Sequence, residues 1–489
     1  MSRATATEDV PLSQRIAESP RPALLWVLVL AALVAVEFGA LATALLDVLA
    51  TLLDEAPLGD PGVGGLEAAA NAATELPTLL SREVIPNQGY RTSANGPWTG
   101  TFLGLEPKHA WLLRVTLVYA YAFAFLGWLL YGYQVFRKHY RYADWTPRDD
   151  ILARLRTHRW GQFGLVVVVS FFVLAIFAPA LGPTTVEQNI QDPYSNEIQY
   201  FDEDTGSVTT VLVGQANIQS ASDGAGASNV QPWEYDDFGR FHPFGTLPTP
   251  GKDLFTFIAA GSRISLFIAL TAISLASIIA AGFGLLTAYY KGLADLAVVV
   301  TSDSVQSVPP LILLLLVAVA FRGHWLQTIY NGALLIALAF AFTYWPALWR
   351  AVRGPAFQIA EREWIDAARS YGQRPRATMR KHMLPYIAGY LIIYASLSIG
   401  GIIIATAALA FLGLGITAPT PEWGRAIDMG QRLVATDAGH VSLIPGILIV
   451  LVVTGFNALG DGVRDALDPQ SEASGGSGDE IAAASGGGG

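Results

Sequence analysis

Long apolar segments separated by polar connections recur along most of this chain of 489 residues. Several of these segments reach the roughly 20 residues that an α-helix needs to cross the hydrocarbon core of a bilayer. The segments that we interpret as spans cover about residues 23–46, 115–136, 163–181, 264–289, 296–321, 329–348, 386–414 and 441–459. The pattern therefore predicts an all-α polytopic membrane protein with about eight transmembrane helices.

Basic residues in one short connection set the orientation of these predicted helices. They crowd the segment between the second and third spans and are Arg137, Lys138, Arg141, Arg148, Arg154, Arg156 and Arg159. Short loops rich in lysine and arginine remain in the cytoplasm. We therefore expect a multi-pass protein of the cell membrane, with its N- and C-termini in the cytoplasm and residues 183–257 outside.

The predicted external segment, 183–257, is strongly acidic. It carries eleven carboxylates against only Arg240 and Lys252, and residues 208–213 have the pattern of a strand. The net charge of −10 sits in such polar segments, because the spans carry little charge. This acidity argues against nucleic-acid binding and suits a halophilic organism, in which acidic surfaces stay solvated.

Composition also limits the chemistry that this chain can perform. With 52% hydrophobic and 14% charged residues, the chain is too apolar for a typical soluble protein. It has no cysteine, which excludes disulfides and thiolate metal sites, and its seven histidines form no HExxH pair. We find no phosphate-binding GxxxxGK sequence and no GxSxG, so we expect no enzymatic activity and no cofactor or metal bound by this chain.

A polar stripe interrupts the fifth predicted span just before a pair of prolines. The stripe and the prolines comprise Ser302, Asp303, Ser304, Gln306, Ser307, Pro309 and Pro310. Two consecutive prolines remove two backbone donors, so we expect a kink or a break there. Because polar groups inside a membrane are costly, Asp303 and Gln306 are candidates for lining a pathway, with the prolines as a hinge. The other interpretation is an interfacial aspartate in a helix that bends for packing.

The segment 361–385 is charged and helix-forming, and it lies between two long apolar runs. Its apolar residues Ile365, Ala367, Ala368 and Tyr371 have helical spacing, and Gly372 then interrupts the pattern. The distribution of basic residues places this segment in the cytoplasm. A short amphipathic helix followed by a glycine and a basic stretch suits a loop that meets a partner, and an ordinary solvated loop is the alternative.

The spacing within this segment resembles the EAA loop of ABC-importer permeases. In order, the matching residues are Asp366, Ala367 and Ala368, then Gly372 after three residues, and Leu384 and Pro385 after eleven more. Further stretches, at 242–245, 261–266, 382–385, 407–424 and 456–469, are similar to the dipeptide/oligopeptide/nickel permease family in its C-type subunit. Asp303 and Pro309 also lie at the spacing that this family shows.

Some features depart from the pattern of the family. Asp366 stands where the family usually has glutamate, and Thr406 stands where glutamate is common. The family's GRD sequence corresponds to Gly251, Lys252 and Asp253, which come one residue late. The first two predicted spans have no counterpart in the usual six-span subunit.

The resemblance implies a six-helix permease core with a small extracytoplasmic insertion and an addition at the N-terminus. The expected parts are an N-terminal extension with two extra transmembrane helices and a basic cytoplasmic linker (1–160), the first core helix (161–182), an extracytoplasmic loop or cap (183–257), the permease core (258–468) with its cytoplasmic coupling loop (354–385), and a disordered tail (469–489).

The resemblance also implies a function and a set of partners. It implies a permease subunit of an ATP-driven importer of di- or oligopeptides, embedded in membrane lipids. Its partners would be a second, B-type permease subunit, two ATP-binding subunits and an external substrate-binding protein. ATP and Mg²⁺ would bind to the partner ATPase, which docks on the helix formed by residues 365–372.

Other interpretations remain open from the sequence. The same importer class also carries nickel or another small solute. An ion-coupled secondary transporter would need paired carboxylates at mid-membrane, for which only Asp303 and Glu37 are candidates. A membrane scaffold would explain the N-terminal addition but would leave the coupling loop without a role. The acidic external segment either meets a binding protein or is a salt-adapted surface, and we favour the second interpretation.

Overall fold

The computed structural model describes residues 11–37, 80–141, 145–224, 229–416 and 418–467, without the side chains of residues 147 and 148. The second half of the first predicted span and the predicted disordered tail lie outside these ranges. The helices are α1 (Leu12–Glu18), α2 (Pro20–Val36), α3 (Pro107–His139), α4 (Pro147–Thr157), α5 (Arg159–Ile176), α6 (Ala178–Leu181), α7 (Val213–Gln219), α8 (Leu254–Tyr290), α9 (Gly292–Gln306), α10 (Pro310–Ala320), α11 (Ala333–Ala360), α12 (Glu363–Ser370), α13 (Pro375–Thr378), α14 (Leu384–Phe411), α15 (Trp423–Gly430) and α16 (His440–Leu467). The strands pair antiparallel, as β1 (Tyr90–Arg91) with β2 (Trp98–Thr99), β3 (Glu197–Asp202) with β4 (Ser207–Leu212), and β5 (Glu234–Tyr235) with β6 (Phe241–His242).

Six of the described helices are long and apolar enough to cross a membrane. They are α3, α5, α8, α11, α14 and α16. Two bent pairs also qualify if each counts as one span: α1 with α2, bent by 101°, and α9 with α10, bent by 80°. The prediction of an all-α polytopic membrane protein is therefore confirmed. The described residues contain six to eight candidate spans, and the predicted number of eight is the upper end of that range.

The chain divides into two compact units. The first consists of Met1–Asp149, Val173–Ala260 and Arg432–Val441. The second consists of Asp150–Phe172, Gly261–Gln431 and Ser442–Gly489.

In the second unit, glycines bring α5 and α16 into close contact. A Cβ atom on Gly164 would lie 2.3 Å from the backbone nitrogen of Leu459, and one on Gly455 would lie 2.5 Å from the Val167 side chain. Small residues allow membrane helices to approach closely, so that their backbones and side chains pack without a cavity. Glycine is therefore required at these two positions by packing.

In the first unit, two tryptophans join α2 to α3. The Nε1 of Trp26 donates to the carbonyl of Trp128 at 3.0 Å, and the Nε1 of Trp128 donates to the carbonyl of Trp26 at 3.1 Å. Gly132 makes room for this pair, because a Cβ there would lie 2.6 Å from the Trp26 ring. The two helices of the N-terminal extension therefore form a specific pair.

The segment predicted to be external, 183–257, contains the β3–β4 hairpin, α7 and the β5–β6 hairpin. The strand expected at 208–213 corresponds to β4. The delayed Gly251 and Asp253 have clear structural roles. Gly251 has a φ of +70°, and a Cβ there would lie 1.8 Å from the carbonyl oxygen of Asn217. Asp253 precedes α8 and accepts the backbone N–H of Thr256 at 2.7 Å, as a helix N-cap does.

Two buried carboxylates in this segment, those of Asp236 and Asp253, face two cationic side chains. His242 lies between them, with Nδ1 2.8 Å from Asp253 Oδ2 and Nε2 3.3 Å from Asp236 Oδ2. Arg240 donates from Nε to Asp236 Oδ2 at 2.7 Å. Burial opposes both charged forms, but these partners outweigh it, so the pKa of His242 is raised and the pKa of Asp236 is lowered. Arg82 also interacts electrostatically with Asp253, and protonated His242 supplies the positive charge that both carboxylates share.

Raising the pH should loosen the external segment by removing the proton from His242. Because the pKa of His242 is higher in the folded chain, its stabilising contribution is complete below the ordinary value of about 6.5 and is lost as the pH rises through the folded pKa. We expect hydrogen-exchange protection at residues 234–253, corrected for the intrinsic exchange rate, to fall over that range in the full-length protein.

The matched variant for this measurement is His242→Gln, which keeps a polar side chain but cannot be protonated. Breaking a buried ion pair costs roughly 3–5 kcal/mol, so we expect weaker protection at low pH and little further loss as the pH rises. Protection in α3 serves as the internal control. Protection at residues 234–253 that does not change with pH in the unaltered chain would contradict the prediction.

Candidate functional site

The short helix α12 contains the first half of the predicted coupling motif. Glu363 and Asp366 lie in its first turn and Arg369 lies in its last turn. Negative charge at the N-terminus and positive charge at the C-terminus both interact favourably with the helix dipole. Ile365 is completely buried and is the one buried residue of α12. The helix therefore buries a single apolar side chain, while most of its surface stays exposed.

A glycine ends this helix. The N–H of Gly372 donates to the carbonyl of Arg369 at 2.9 Å, and the N–H of Gln373 donates to the carbonyl of Ala368 at 3.0 Å. These two bonds form a Schellman motif, which places the residue after the C-cap in the left-handed conformation. Gly372 has a φ of +72°, a value that glycine adopts without steric cost. The glycine of the motif is therefore the residue that turns the chain.

Two aromatic contacts hold α12 on either side of the buried isoleucine. The guanidinium of Arg369 lies 4.3 Å from the centre of the Tyr289 ring, and it donates to the Tyr289 carbonyl at 3.3 Å. Trp364 stacks on Tyr386, with 6.1 Å between ring centres. Because Tyr289 is the penultimate residue of α8 and Tyr386 is the third residue of α14, the helix contacts two of the long spans.

The four residues predicted to form the apolar side of this helix are only partly buried in the structure. Ile365 is buried and Ala368 is half-buried, but Ala367 is exposed. Tyr371 has 91% of its surface exposed, because it follows the last helical residue and helical spacing no longer sets its direction. The exposed side of α12 and its end therefore present the Asp366 carboxylate, a small residue and an aromatic ring.

Leu384 and Pro385, the second half of the motif, begin the long helix α14. Leu384 is its first residue and is half-buried, and Pro385 is the exposed second residue. A π-helical turn, Met379–Met383, precedes Leu384 within one continuous helix from Pro375 to Phe411. The structure thus separates the two halves of the motif into a short helix and a long span.

The proline pair breaks the fifth predicted span, as the sequence indicates. α9 ends at Gln306, α10 begins at Pro310, and the two helices are bent by 80°. Pro309 is the N-cap residue of α10 and has an extended backbone with ψ of 128°. The predicted break is confirmed.

Asp303 and Gln306 contact the same guanidinium. Arg350 donates from Nη2 to Asp303 Oδ1 and from Nη1 to Gln306 Oε1, the latter at 2.6 Å. The sixth predicted span covers residues 329–348, and α11 continues beyond it to Ala360. Arg350 therefore lies in the part of this helix that follows the apolar run, where its partners on α9 hold it.

A second ion pair joins α9 to α11. Arg353 donates from Nε to Asp295 Oδ1 at 2.8 Å and from Nη2 to Asp295 Oδ2 at 2.5 Å. Residues three apart share a face of a helix, so Arg350 and Arg353 point to the same neighbour. Two arginines at this spacing beside an apolar run are the sequence signal that would have identified both pairs.

Glu422 lies in one of the stretches that carry the resemblance, and nothing in its spacing indicates a role of its own. It precedes α15 and accepts the N–H groups of Gly424 and Arg425, at 2.5 and 3.2 Å. Burial raises the pKa of this carboxyl group to about 7, although the backbone donors oppose the shift. A Cβ on Gly424 would lie 1.9 Å from the Ala407 carbonyl oxygen. These residues therefore start α15 and pack it against α14.

Two family models match the chain. One, described as a binding-protein-dependent transport system inner membrane component, matches residues 277–472. This range contains α9 to α16, with both ion pairs and the coupling motif. The other, described as the N-terminal TM domain of oligopeptide transport permease C, matches residues 146–197, which include α5. The matched ranges begin after α2 and α3.

Individual relatives agree with these models. A dipeptide transport system permease protein of Alkalihalophilus pseudofirmus is 32% identical over 330 residues, which are 68% of this chain and 92% of the relative. A glutathione transport system permease protein of Shigella dysenteriae is 31% identical over 325 residues, 66% of this chain and 91% of the relative. Its counterpart in Pectobacterium atrosepticum is 36% identical over 220 residues, 45% of this chain and 70% of the relative. This chain therefore belongs to the family of binding-protein-dependent transport system inner membrane components, as a permease of the oligopeptide permease C type.

Proposed function

We propose that this chain forms part of the pathway of an ATP-driven importer of di- or oligopeptides, and that α12 couples it to a separate ATPase. The observation that carries the proposal is the way α12 is held. Ile365 is buried and two aromatic contacts fix the helix, while Asp366 and Ala367 remain exposed. A helix fixed on one side and exposed on the other suits docking into a groove of a partner. An ordinary solvated loop gives no reason for these contacts.

The proposed substrate class follows from the relatives. One relative is named for dipeptides and others are named for glutathione, which is itself a short peptide. Peptides are common to both names, so we propose peptides in preference to nickel or another small solute. An ion-coupled secondary transporter is less well supported, because its candidate carboxylate Asp303 is already paired with Arg350.

The proposed partners follow from the family. They are a second, B-type permease subunit, two ATP-binding subunits that hold ATP and Mg²⁺, and an external substrate-binding protein. Basic residues support a cytoplasmic position for the coupling loop and for both termini, since Arg374, Arg376, Arg380 and Lys381 follow α12. We propose that the acidic external segment is a salt-adapted surface.

The contacts of α12 also indicate where a push from the ATPase would act. Arg369 holds the helix to Tyr289 at the end of α8, and Lys291 Nζ lies 3.2 Å from Glu361 Oε1. The next residue, Gly292, begins α9. A displacement of α12 therefore acts directly on the turn between α8 and α9. Moving a two-state equilibrium from 1:99 to 99:1 needs about 5.5 kcal/mol, so this attachment must be stiff.

Gly372→Trp should abolish peptide uptake and the ATP hydrolysis stimulated by the loaded binding protein, but not membrane insertion. A Cβ at Gly372 meets no atom within 4 Å. The damage therefore comes from the positive φ, which disfavours a side chain, and from the bulk of the indole beside the docking side. Both activities are measured in proteoliposomes that contain the importer with its partner subunits.

The matched control is Gly323→Trp, because Gly323 has a similar φ of +78° and equally open surroundings outside the coupling loop. It should retain most of the uptake. Asp366→Lys reverses a charge on the exposed side of α12 without straining the backbone. Like Gly372→Trp, it should abolish both peptide uptake and stimulated ATP hydrolysis. Normal uptake by both Gly372→Trp and Asp366→Lys would overturn the assignment of the coupling helix.

Arg369→Ala should increase the number of ATP molecules hydrolysed for each peptide transported. The substitution removes a cation–π contact worth roughly 0.5–2 kcal/mol and a hydrogen bond worth about 0.5–1.5 kcal/mol, while the docking side of α12 is unchanged. A loss of about 1.4 kcal/mol corresponds to a tenfold change in an equilibrium, so we expect the ratio to rise several-fold. The ratio is measured from initial rates of hydrolysis and uptake in one preparation.

Arg376→Ala makes the same change of charge at an exposed position of the same loop and should leave this ratio near its original value. Arg369→Lys keeps the charge but not the planar stack. Its ratio of ATP hydrolysed to peptide transported should lie between those of Arg369→Ala and Arg376→Ala. If Arg369→Ala slowed hydrolysis and uptake in equal proportion, Arg369 would have no role in transmitting the movement.

A further inference from the structure

Asp303, Gln306 and Arg350 form a charged site on the broken span of the second unit. Arg350 donates to Asp303 Oδ1 and to Gln306 Oε1. The side chains of Arg350 and Asp303 remain 46% and 60% exposed. Within the described part of the chain, no hydrogen bond occupies Asp303 Oδ2 or Arg350 Nε. Both groups therefore have capacity for a further partner.

This site lies beside the break between α9 and α10. Asp303 comes three residues before Gln306, where α9 ends, and Arg350 comes ten residues before Ala360, where α11 ends. A charged side chain that faces lipid at the centre of a helix costs roughly 2.5–3.5 kcal/mol. An open ion pair on these apolar helices is therefore more stable when it faces water than when it faces hydrocarbon.

A comparison with the neighbouring ion pair indicates that holding α9 to α11 is not the main role of Asp303. Asp295 and Arg353 join the same two helices with two hydrogen bonds, one to each carboxylate oxygen. The Asp295 side chain is only 18% exposed. The pair of Asp295 and Arg353 is thus a contact between two helices with both carboxylate oxygens occupied. The pair of Asp303 and Arg350 is more exposed and leaves one carboxylate oxygen available.

The position of the open pair beside a helix break supports a binding role. Gln306 is the last residue of α9, and Pro309 and Pro310 follow it. At the start of α10, the amides of Leu311 and Ile312 have no partner within the helix. Broken helices at membrane depth occur where the backbone lines a cavity, and transporters place substrate sites there.

We propose that Asp303 and Arg350 bind the two charged ends of a peptide as it passes through the membrane. The guanidinium takes the terminal carboxylate through paired hydrogen bonds, and the Asp303 carboxylate takes the terminal ammonium. Binding exchanges one ion pair for two, so no charge is left without a partner. This inference rests on the proposed function, which supplies the substrate class.

A single introduced thiol can test the site, because the chain contains no cysteine. Ser304 is exposed and adjacent to Asp303. In the nucleotide-free importer with its partner subunits, Ser304→Cys should react with a water-soluble maleimide, as measured by mass spectrometry of this chain. Dialanine at ten times its dissociation constant should slow the reaction about tenfold. N-acetyl-dialanine amide, which has neither charged end, should not slow it.

Two variants and a control identify the groups responsible. In the Ser304→Cys background, Arg350→Gln and Asp303→Asn should each remove the protection by dialanine, compared within each background with and without peptide. Ser274→Cys is the matched control, because Ser274 is an exposed serine in the apolar helix α8 beside the lipid-accessible Ile278. It should react slowly, and dialanine should not change its rate.

The proposal is overturned if Ser304→Cys does not react, if the blocked peptide protects as well as dialanine, or if protection survives both variants. These outcomes are independent of the proposed function, which is tested by peptide uptake in the unaltered importer. An importer that takes up peptides without protection at Ser304→Cys would retain its function and lose this site.

Discussion

The pairing of charges inside apolar helices is the interaction on which the second unit depends. α9 has 15 residues and is about 22 Å long, so it cannot cross a bilayer core of roughly 30 Å by itself. It ends at a proline break and carries two carboxylates, Asp295 and Asp303. Without Arg353 and Arg350, both carboxylates would lose their ion-pair partners. The broken span is stable because α11 supplies both partners.

The same pairing determines which helices would respond to the proposed coupling loop. α8 ends one residue before Lys291, and Lys291 and Gly292 both have positive φ, of 55° and 52°, so the chain reverses sharply into α9. α12 contacts this reversal through Arg369 on Tyr289. α9 is in turn bound to α11 by the two ion pairs. A displacement of α12 therefore reaches three long elements of the second unit through named contacts, without passing through flexible chain.

Local features of this arrangement could be predicted from the sequence, and pairs that are distant in the sequence could not. The break at Pro309 and the turn at Gly372 depend on the backbone properties of those residues alone, and both are present where the sequence indicates them. The pair of Arg350 and Asp303 could not be predicted, because the two residues lie 47 positions apart and a lone arginine after an apolar run resembles the end of a span. Tyr371 was assigned by helical periodicity to a side of a helix that had already ended. In the segment predicted to be external, a strongly acidic composition concealed a buried cluster in which cationic side chains pair with two carboxylates.

α9 connects the proposed peptide site to the proposed coupling helix, so binding at one must affect the other. A peptide that opens the pair of Asp303 and Arg350 weakens the attachment of α9 to α11, and a displacement of α9 by α12 changes the geometry of that pair. By linkage, the two effects on binding are equal in size. Typical couplings of this kind amount to about 1–3 kcal/mol, whereas a nearly complete shift between two states needs about 5.5 kcal/mol. Under the proposed function, the peptide can therefore favour the transition, but most of the free energy would enter through α12 from the partner ATPase.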